Sequence, residues 1–300
     1  MKILLSILFF AGIFVYVVAC HGSDVPPLVS SIHEYYVDFD KSMQRAHYSS
    51  NLKYKEQQDR YNLFKKLYEK NSFTKMVPQI HALIPRVINW VWLGSPFPEK
   101  YRAFQESWKK HHPGWEFRVW TDADFKTFPL YNRALYESSK NYGEKSDIVR
   151  YEILYQLGGL YVDIDMECLK SLDVLHFLYD FYIAIQPLDT SHVQVGNYII
   201  GSVAGHPLLK RIIEGMAANV RTARDSVVDR TGPLYFTRVF CKIALQLNSR
   251  LIALPASYLS PKSYAQKDDT TNVWVRPESF AVHHWEASWL KPEAFVARAL

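Results

Sequence analysis

Residues 146–172, SDIVRYEILYQLGGLYVDIDMECLKSL, decide the architecture. Ile148, Tyr151, Leu154 and Tyr155 recur at helical spacing, which predicts a helix with an apolar face. Ser146 is placed to cap that helix through its hydroxyl. Asp147, in the first turn, suits the positive end of the helix dipole. Gly158 or Gly159 can take the left-handed conformation that ends a helix. Leu160, Tyr161 and Val162 then form a short buried strand running into Asp163, Ile164 and Asp165. In an extended chain, residues two apart share a side. Both carboxylates are therefore expected to face one point at the strand's end, where a divalent cation and a diphosphate can be held.

An Asp-x-Asp pair is a weak signal by itself. The chain has three: Asp38 with Asp40, Asp122 with Asp124, and Asp163 with Asp165. The first lies in a polar stretch, and the second follows Trp120-Thr121 as a turn and helix cap. Only the third ends an apolar strand behind a glycine-terminated helix. Mg²⁺ and Mn²⁺ prefer oxygen ligands, commonly one or two carboxylates with substrate phosphates, so this pair is the candidate metal site.

Working outward, residues 86–93 and 115–121 are rich in β-branched and aromatic residues and predict two strands. Helices are expected over 98–111 and 131–139, and further strands over 181–188, 197–203 and 251–255. Pro207 suits a helix start, and 234–247 predicts another helix. Strands alternating with helices imply an α/β fold with an open, mostly parallel sheet flanked by helices. Such sheets bind ligands beyond the carboxyl ends of their strands, where Leu93-Gly94 and the acidic pair both lie.

The chain has 300 residues, 48% hydrophobic, with net charge +5. That suits one sizeable α/β domain with an extension. The charge fits an anionic donor, but clustered Lys/Arg runs expected of a nucleic-acid binder are missing from the sequence. Three cysteines are too few for a disulfide framework and none are spaced as zinc ligands. Residues 1–20, with Lys2 before an uncharged apolar run, predict a signal-anchor, a cleaved signal peptide or, from Val17-Val18-Ala19-Cys20, a lipidated one. Any of these expects a membrane partner and a catalytic domain on the luminal or extracytoplasmic side. Residues 21–83 are expected to be a stem, with an amphipathic helix over 53–70, and 84–300 the catalytic domain.

The run SDIVRYEILYQLGGLYVDID resembles the signature of the DXD-containing sugar transferases of glycosyltransferase family 32. IPRVINWVWLG (84–94) and HPGWEFRVWTD (112–122) are similar to that family's first two strands, and the likeness extends over about residues 84–289. The family includes fungal initiating and inositol-phosphoceramide mannosyltransferases, with the glucosyltransferase domains of large clostridial toxins more distant. The resemblance implies a nucleotide-diphospho-sugar transferase fold of the GT-A type. The implied activity is metal-dependent, retaining transfer of a hexose from a UDP- or GDP-sugar to a hydroxyl of a glycan or lipid. It implies Asp165 as metal ligand and Asp163 on donor and metal, with Asp147 on sugar hydroxyls and Arg150 beside it. Trp92 is placed to stack on the nucleobase. AVHHWEASW (281–289) is similar to a family tail that closes over metal and diphosphate, which implies His284 as a ligand or diphosphate contact, Ser288 and Trp289 on the donor, and His283 as a lesser candidate. Asn197 and residues 231–233 are open between donor, acceptor and structural roles. Asn89 stands where the family usually has histidine and is left out of the site. A metal-dependent phosphoesterase, or a protein that binds sugar or nucleotide-sugar without turnover, is the alternative.

Overall fold

The computed structural model describes residues 35–45, 50–189, 192–223 and 226–286. Eight strands occur among them: β1 (Val87–Val91), β2 (Glu116–Trp120), β3 (Gly159–Val162), β4 (Met166–Cys168), β5 (Phe181–Ile185), β6 (Val195–Ser202), β7 (Leu251–Leu254) and β8 (Ala281–His283). The α-helices are α1 (Phe39–Arg45), α2 (Lys55–Lys70), α3 (Arg102–His111), α4 (Arg133–Ser138), α5 (Tyr142–Leu157), α6 (Asp173–Leu178), α7 (Pro207–Thr222), α8 (Val227–Arg230), α9 (Pro233–Ile243) and α10 (Ala256–Leu259).

Six strands form one sheet in the order β2-β1-β3-β6-β5-β7. The pairs β1/β2, β1/β3 and β5/β7 are parallel, whereas β6 runs antiparallel to both β3 and β5. The sheet is therefore mixed rather than mostly parallel. The reason is local: β5 and β6 are joined by residues 186–194, too short a connection for a parallel crossover, which needs a dozen residues or more. The reversal has a consequence for the site. The start of β6 lies at the same edge as the carboxyl ends of β1, β3 and β5. A second, two-stranded sheet pairs β4 with β8, setting Met166 opposite His283.

β3, β5, β6 and β7 are buried along their whole length, as expected for strands covered on both faces. β2 is one of the two edge strands, and its Val119 is exposed despite the apolar alternation around it. α5 is buried from Asp147 to Leu154 on every side, not on one face only. Its cap is Asn141 rather than Ser146: the Asn141 Oδ1 accepts from the N–H groups of Gly143 (2.8 Å) and Glu144 (3.2 Å). At its other end Gly158 and Gly159 both have positive φ, 70° and 102°. A Cβ on Gly159 would lie 2.8 Å from the Val87 carbonyl oxygen, so the close approach of β3 to β1 requires glycine there.

α2 buries Phe64, Leu67 and Tyr68 in the same hydrophobic core as the sheet, with Phe64 edge-on to Phe240 of α9 at 5.8 Å. Tyr54 precedes this helix and is exposed. No helix among the described residues is long and apolar enough to cross a membrane. This corrects the expectation of a membrane-anchored fold with a membrane partner and a luminal location. The segment on which it rested, residues 1–20, lies outside the described residues.

Two buried histidines tie the elements behind the sheet. His112 Nδ1–H donates to the Trp108 carbonyl and its Nε2 accepts from Leu172 N–H, both at 2.9 Å. His176 Nδ1–H donates to the Ile84 carbonyl and its Nε2 accepts from the Tyr182 hydroxyl, both at 3.0 Å. These partners fix both neutral tautomers. Burial pulls His112 down to about 4 and His176 to about 3, whereas both titrate near pH ~6.5 in an unfolded chain. Below that pH the unfolded state takes up protons that the folded state refuses, so stability falls as the pH falls toward 4. By pH 5 each histidine should account for about 2 kcal/mol of lost stability. Urea unfolding at pH 7 and pH 5 measures this, and His176→Gln should flatten the difference by roughly its own share. A second expectation concerns α2. Phe64→Ala should lower unfolding free energy by about 3–5 kcal/mol in the same assay, as for other large core truncations.

Candidate active site

Val162 is the last residue of β3, and Asp163 N–H donates to the Tyr198 carbonyl of β6 at 2.8 Å. The chain then turns instead of continuing extended: Met166 N–H returns to the Asp163 carbonyl at 3.2 Å and begins β4. The two carboxylates thus converge across a tight turn, not through the alternation of a strand. Pairing of β4 with β8 brings His283 to the same point. One ligand atom each from Asp163, Asp165 and His283 lie within 4.8 Å of one another.

Each acid has its own compensation. Arg150 reaches from α5 and donates through Nη1 to Asp163 Oδ1 (3.1 Å) and the Asn197 carbonyl (2.7 Å), and through Nη2 to Ser146 Oγ (3.1 Å). Its guanidinium lies 4.4 Å from the Tyr161 ring centroid, and the Tyr161 hydroxyl donates to Asp163 Oδ1 at 2.6 Å. Asp165 faces His283 Nε2 at 3.3 Å and accepts from Glu286 N–H at 2.8 Å. Burial drives the Asp163 carboxyl above the usual range, against the pull of Arg150. Burial also pushes Asp165 up, but His283 and the Glu286 N–H outweigh it, and its pKa lies below the usual range. Arg150 stays protonated: burial works against its charge, but Asp163, Tyr161 and Asp147 more than restore it.

Asp147 is buried beside Arg150, 3.4 Å from its Nη2. Its carboxylate accepts from Asn197 Nδ2 (2.7 Å) and Thr231 Oγ1 (2.9 Å). Burial raises Asp147 to about 6, opposed by Arg150 and the Thr231 hydrogen bond. Asn197 and Thr231 therefore hold Asp147 in place. A recess of about 50 Å³ opens among Asp147, Arg150, Asp163, Asn197 and Pro233.

The three clustered residues line a cleft of about 1480 Å³, which also takes in Trp92, Gly94, Arg150 and Trp285. Trp92 is half-buried, with its Nε1–H shared between Ser95 Oγ and the Pro96 carbonyl at 3.0 Å. Asp122, expected as a turn residue, accepts from Gly94 N–H at 2.6 Å and holds that loop at the cleft's rim. Asn89 is buried scaffolding: it accepts from Trp120 Nε1 at 2.9 Å.

His284 does not join the cluster. Its Nε2 faces Glu167 at 3.1 Å and its ring stacks on Phe104 at 4.6 Å. The register that places His283 opposite Met166 sends the next side chain the other way. Ser288 and Trp289 lie outside the described residues. Trp285 is the tryptophan the sequence did not single out. It alone among described non-glycine residues has positive φ, 59°, and its ring lies 4.1 Å from that of His283. Its Nε1–H donates to the Lys262 carbonyl at 2.8 Å. The strained backbone there turns the Glu286 N–H onto Asp165. No local pattern marks Trp285, since its φ depends on that distant anchor.

Two carboxylates and an imidazole converging in a cleft are a donor set that accepts a divalent cation, and the oxygen-rich character suits Mn²⁺ or Mg²⁺. The buried Nδ1 of His283 has no hydrogen-bond partner, unusual for a ring nitrogen committed to scaffolding.

Residues 98–182 match the family described as a glycosyltransferase sugar-binding region containing DXD motif. Inositol phosphoceramide mannosyltransferase 3 of Schizosaccharomyces pombe is 32% identical over 167 residues, 53% of this chain and 45% of that protein. Inositol phosphoceramide mannosyltransferase 1 of the same organism is 29% identical over 220 residues, 66% of this chain and 68% of that protein. The chain thus spans less than half the length of the first relative. The solved structure of PaToxG glycosyltransferase overlaps with a TM-score of 0.46 at 19% identity, covering 62% of this chain and 78% of that one; so loose an overlap carries no weight. The family match over residues 98–182 and the relatives agree with the acidic turn at the end of β3: this part of the chain is similar to the DXD-motif sugar-binding region of glycosyltransferases, with a distant likeness to the fungal inositol phosphoceramide mannosyltransferases.

Proposed function

We propose that this protein is a metal-dependent, retaining hexosyltransferase that moves a hexose from a UDP- or GDP-sugar to a hydroxyl of a glycan or lipid acceptor. The observation that carries this reading is the convergence of Asp163, Asp165 and His283 within 4.8 Å at the edge of the main cleft. A divalent cation bound there neutralises charge developing on a departing diphosphate. Asp165, oriented by the Glu286 N–H, is the primary ligand in this reading, with Asp163 and His283 completing the protein's share. His283 takes the role first expected of His284.

The chain's own groups prepare the rest. Arg150 is rigidly held by Ser146 and the Asn197 carbonyl, so it orients Asp163 and keeps a positive charge beside the donor phosphates. Asp147, fixed by Asn197 and Thr231, presents an acceptor to sugar hydroxyls at the recess it lines. Trp92, at the carboxyl end of β1, offers an aromatic wall for the base. The relatives' names mention mannose, which supports a hexose without selecting the donor.

A melting panel of UDP, GDP and their hexose conjugates, with and without Mn²⁺, tests the reading. One nucleotide should raise the melting temperature by several degrees only when Mn²⁺ is present. Asp165→Asn should remove that metal-dependent shift and lower nucleotide diphosphate release at least a hundredfold. A shift of equal size in Asp165→Asn would refute the metal site. The anomeric configuration of the product, read by NMR, should match that of the donor, and inversion would overturn the retaining assignment. Arg150→Lys should keep the fold but lower turnover at least tenfold, because lysine cannot supply the forked contacts to Asp163 and the Asn197 carbonyl.

A further inference from the structure

The cleft has a second wall that the donor reading leaves unused. Gln186 follows β5 and Gln194 precedes β6. Their backbones pair, Gln186 N–H donating to the Gln194 carbonyl at 2.9 Å, and Gln194 Nε2 donates to Gln186 Oε1 at 2.5 Å. This leaves Gln194 Oε1 buried without a partner, on a side chain only 6% exposed. Helix α2 docks against the same point: Gln57 Oε1 accepts from Val193 N–H at 2.6 Å. One turn further along α2 is Arg60. Its Nη2 is paired with Glu56, but its Nη1 is buried and unpartnered. Gln186, Gln194 and Arg60 all line the main cleft.

Sheet order places this wall relative to the donor. Across the active edge the sequence is β1, β3, β6, β5. Trp92 stands at the first, the acidic turn at the second, and the two glutamines at the third and fourth. Neighbouring strands are about 4.8 Å apart, so the glutamine wall spans roughly 5–10 Å beyond β3, on the side away from Trp92. That spacing leaves room for a transferred sugar and sets the acceptor that receives it against Gln186 and Gln194.

We infer that Gln194, Gln186 and Arg60 form the acceptor subsite, built for a neutral, hydroxyl-rich saccharide. This rests on the transferase reading above. A buried polar group without a partner is costly, and here one spare acceptor and one spare donor belong to side chains that line the same cleft. A hydroxyl both donates and accepts, so the hydroxyls of a sugar suit an amide oxygen and a guanidinium N–H alike. An anionic headgroup suits the wall less well. Arg60 is already paired with Glu56, and Arg238 of the same cleft with Asp229. An amide-lined wall likewise offers little to a hydrocarbon tail.

Saturation-transfer NMR on the full chain with Mn²⁺ tests this. The probes are α-1,6-mannobiose, lactose and cellobiose, with glycerol 3-phosphate as the anionic comparison. At least one disaccharide should bind, and glycerol 3-phosphate should bind more weakly. Gln194→Leu and Arg60→Met should each weaken disaccharide binding about tenfold, with the nucleotide-dependent melting shift unchanged. Thermal unfolding of each variant without ligand controls for a folding defect. Asp165→Asn should bind the disaccharide as the natural protein does. The inference is overturned if none of the disaccharides binds, if Gln194→Leu binds as well as the natural protein, if glycerol 3-phosphate is preferred, or if nucleotide-sugar affinity falls in parallel, which would make the wall part of the donor site. Disaccharide binding without any Mn²⁺-dependent nucleotide shift would instead count against the transferase reading and leave the subsite standing.

Discussion

Two carboxylates brought together in a buried turn need compensation, and in this chain that electrostatic demand fixes the surrounding structure. Like charges a few ångströms apart in low dielectric cannot both stay ionised without nearby positive charge or hydrogen-bond donors. Asp163 is answered by Arg150 and the Tyr161 hydroxyl, Asp165 by His283 and the Glu286 N–H. The partners come from α5, β3, β8 and the segment after β8. Elements more than a hundred residues apart in sequence are thereby held to one point. A cation at that point would relieve the same repulsion, so the arrangement that stabilises the fold is also the one that makes the turn a ligand.

The backbone reaches this geometry by interrupting its regular elements. β3 stops at Val162 because the Asp163 carbonyl is taken by Met166, and the chain changes sheets within three residues. β4 then needs a partner, and β8 supplies it. The left-handed Trp285 comes directly after, its indole anchored to Lys262 and packed on Tyr198 and His283. A positive φ at tryptophan persists only where its neighbours over-determine it. Here they do, from three separate segments.

The contiguous part of the site was legible in the sequence. Asp147, Arg150, Asp163 and Asp165 fall within nineteen residues, and helix spacing followed by a glycine stop and a strand brings them together whatever the rest of the fold does. The six strands of the main sheet and helices α2, α3, α4, α5, α7 and α9 were legible from local periodicity and breakers, whereas β4, β8 and the short helices were not. What escaped depends on distant pairing. Choosing between His283 and His284 needs the β4/β8 register, and a slip of one residue exchanges their faces. The direction of β6 turned on a connection length that strand periodicity does not weigh. Ser146 had the right chemistry for a cap, but Asn141 lies five residues earlier, ahead of a turn that includes Gly143, and took the position. Ser146 instead receives Arg150.

Asp147 shows what the sheet reversal places at the candidate site. A buried carboxylate raised to about 6 would be a liability if its orientation were loose. Asn197 enters from the start of β6 and Thr231 from the turn between α8 and α9, and they take one carboxylate oxygen each. Asn197 is also bound to the Tyr151 hydroxyl at 2.7 Å, and its carbonyl accepts from Arg150. Were β6 parallel to β3, its first residues would lie at the opposite edge of the sheet, and neither Asp147 nor Arg150 would find this partner. The antiparallel strand therefore brings Asn197 to Asp147 and Arg150 at the cleft as well as completing the sheet. It does so beside Gln194, so the element that holds Asp147 also begins the wall across the cleft.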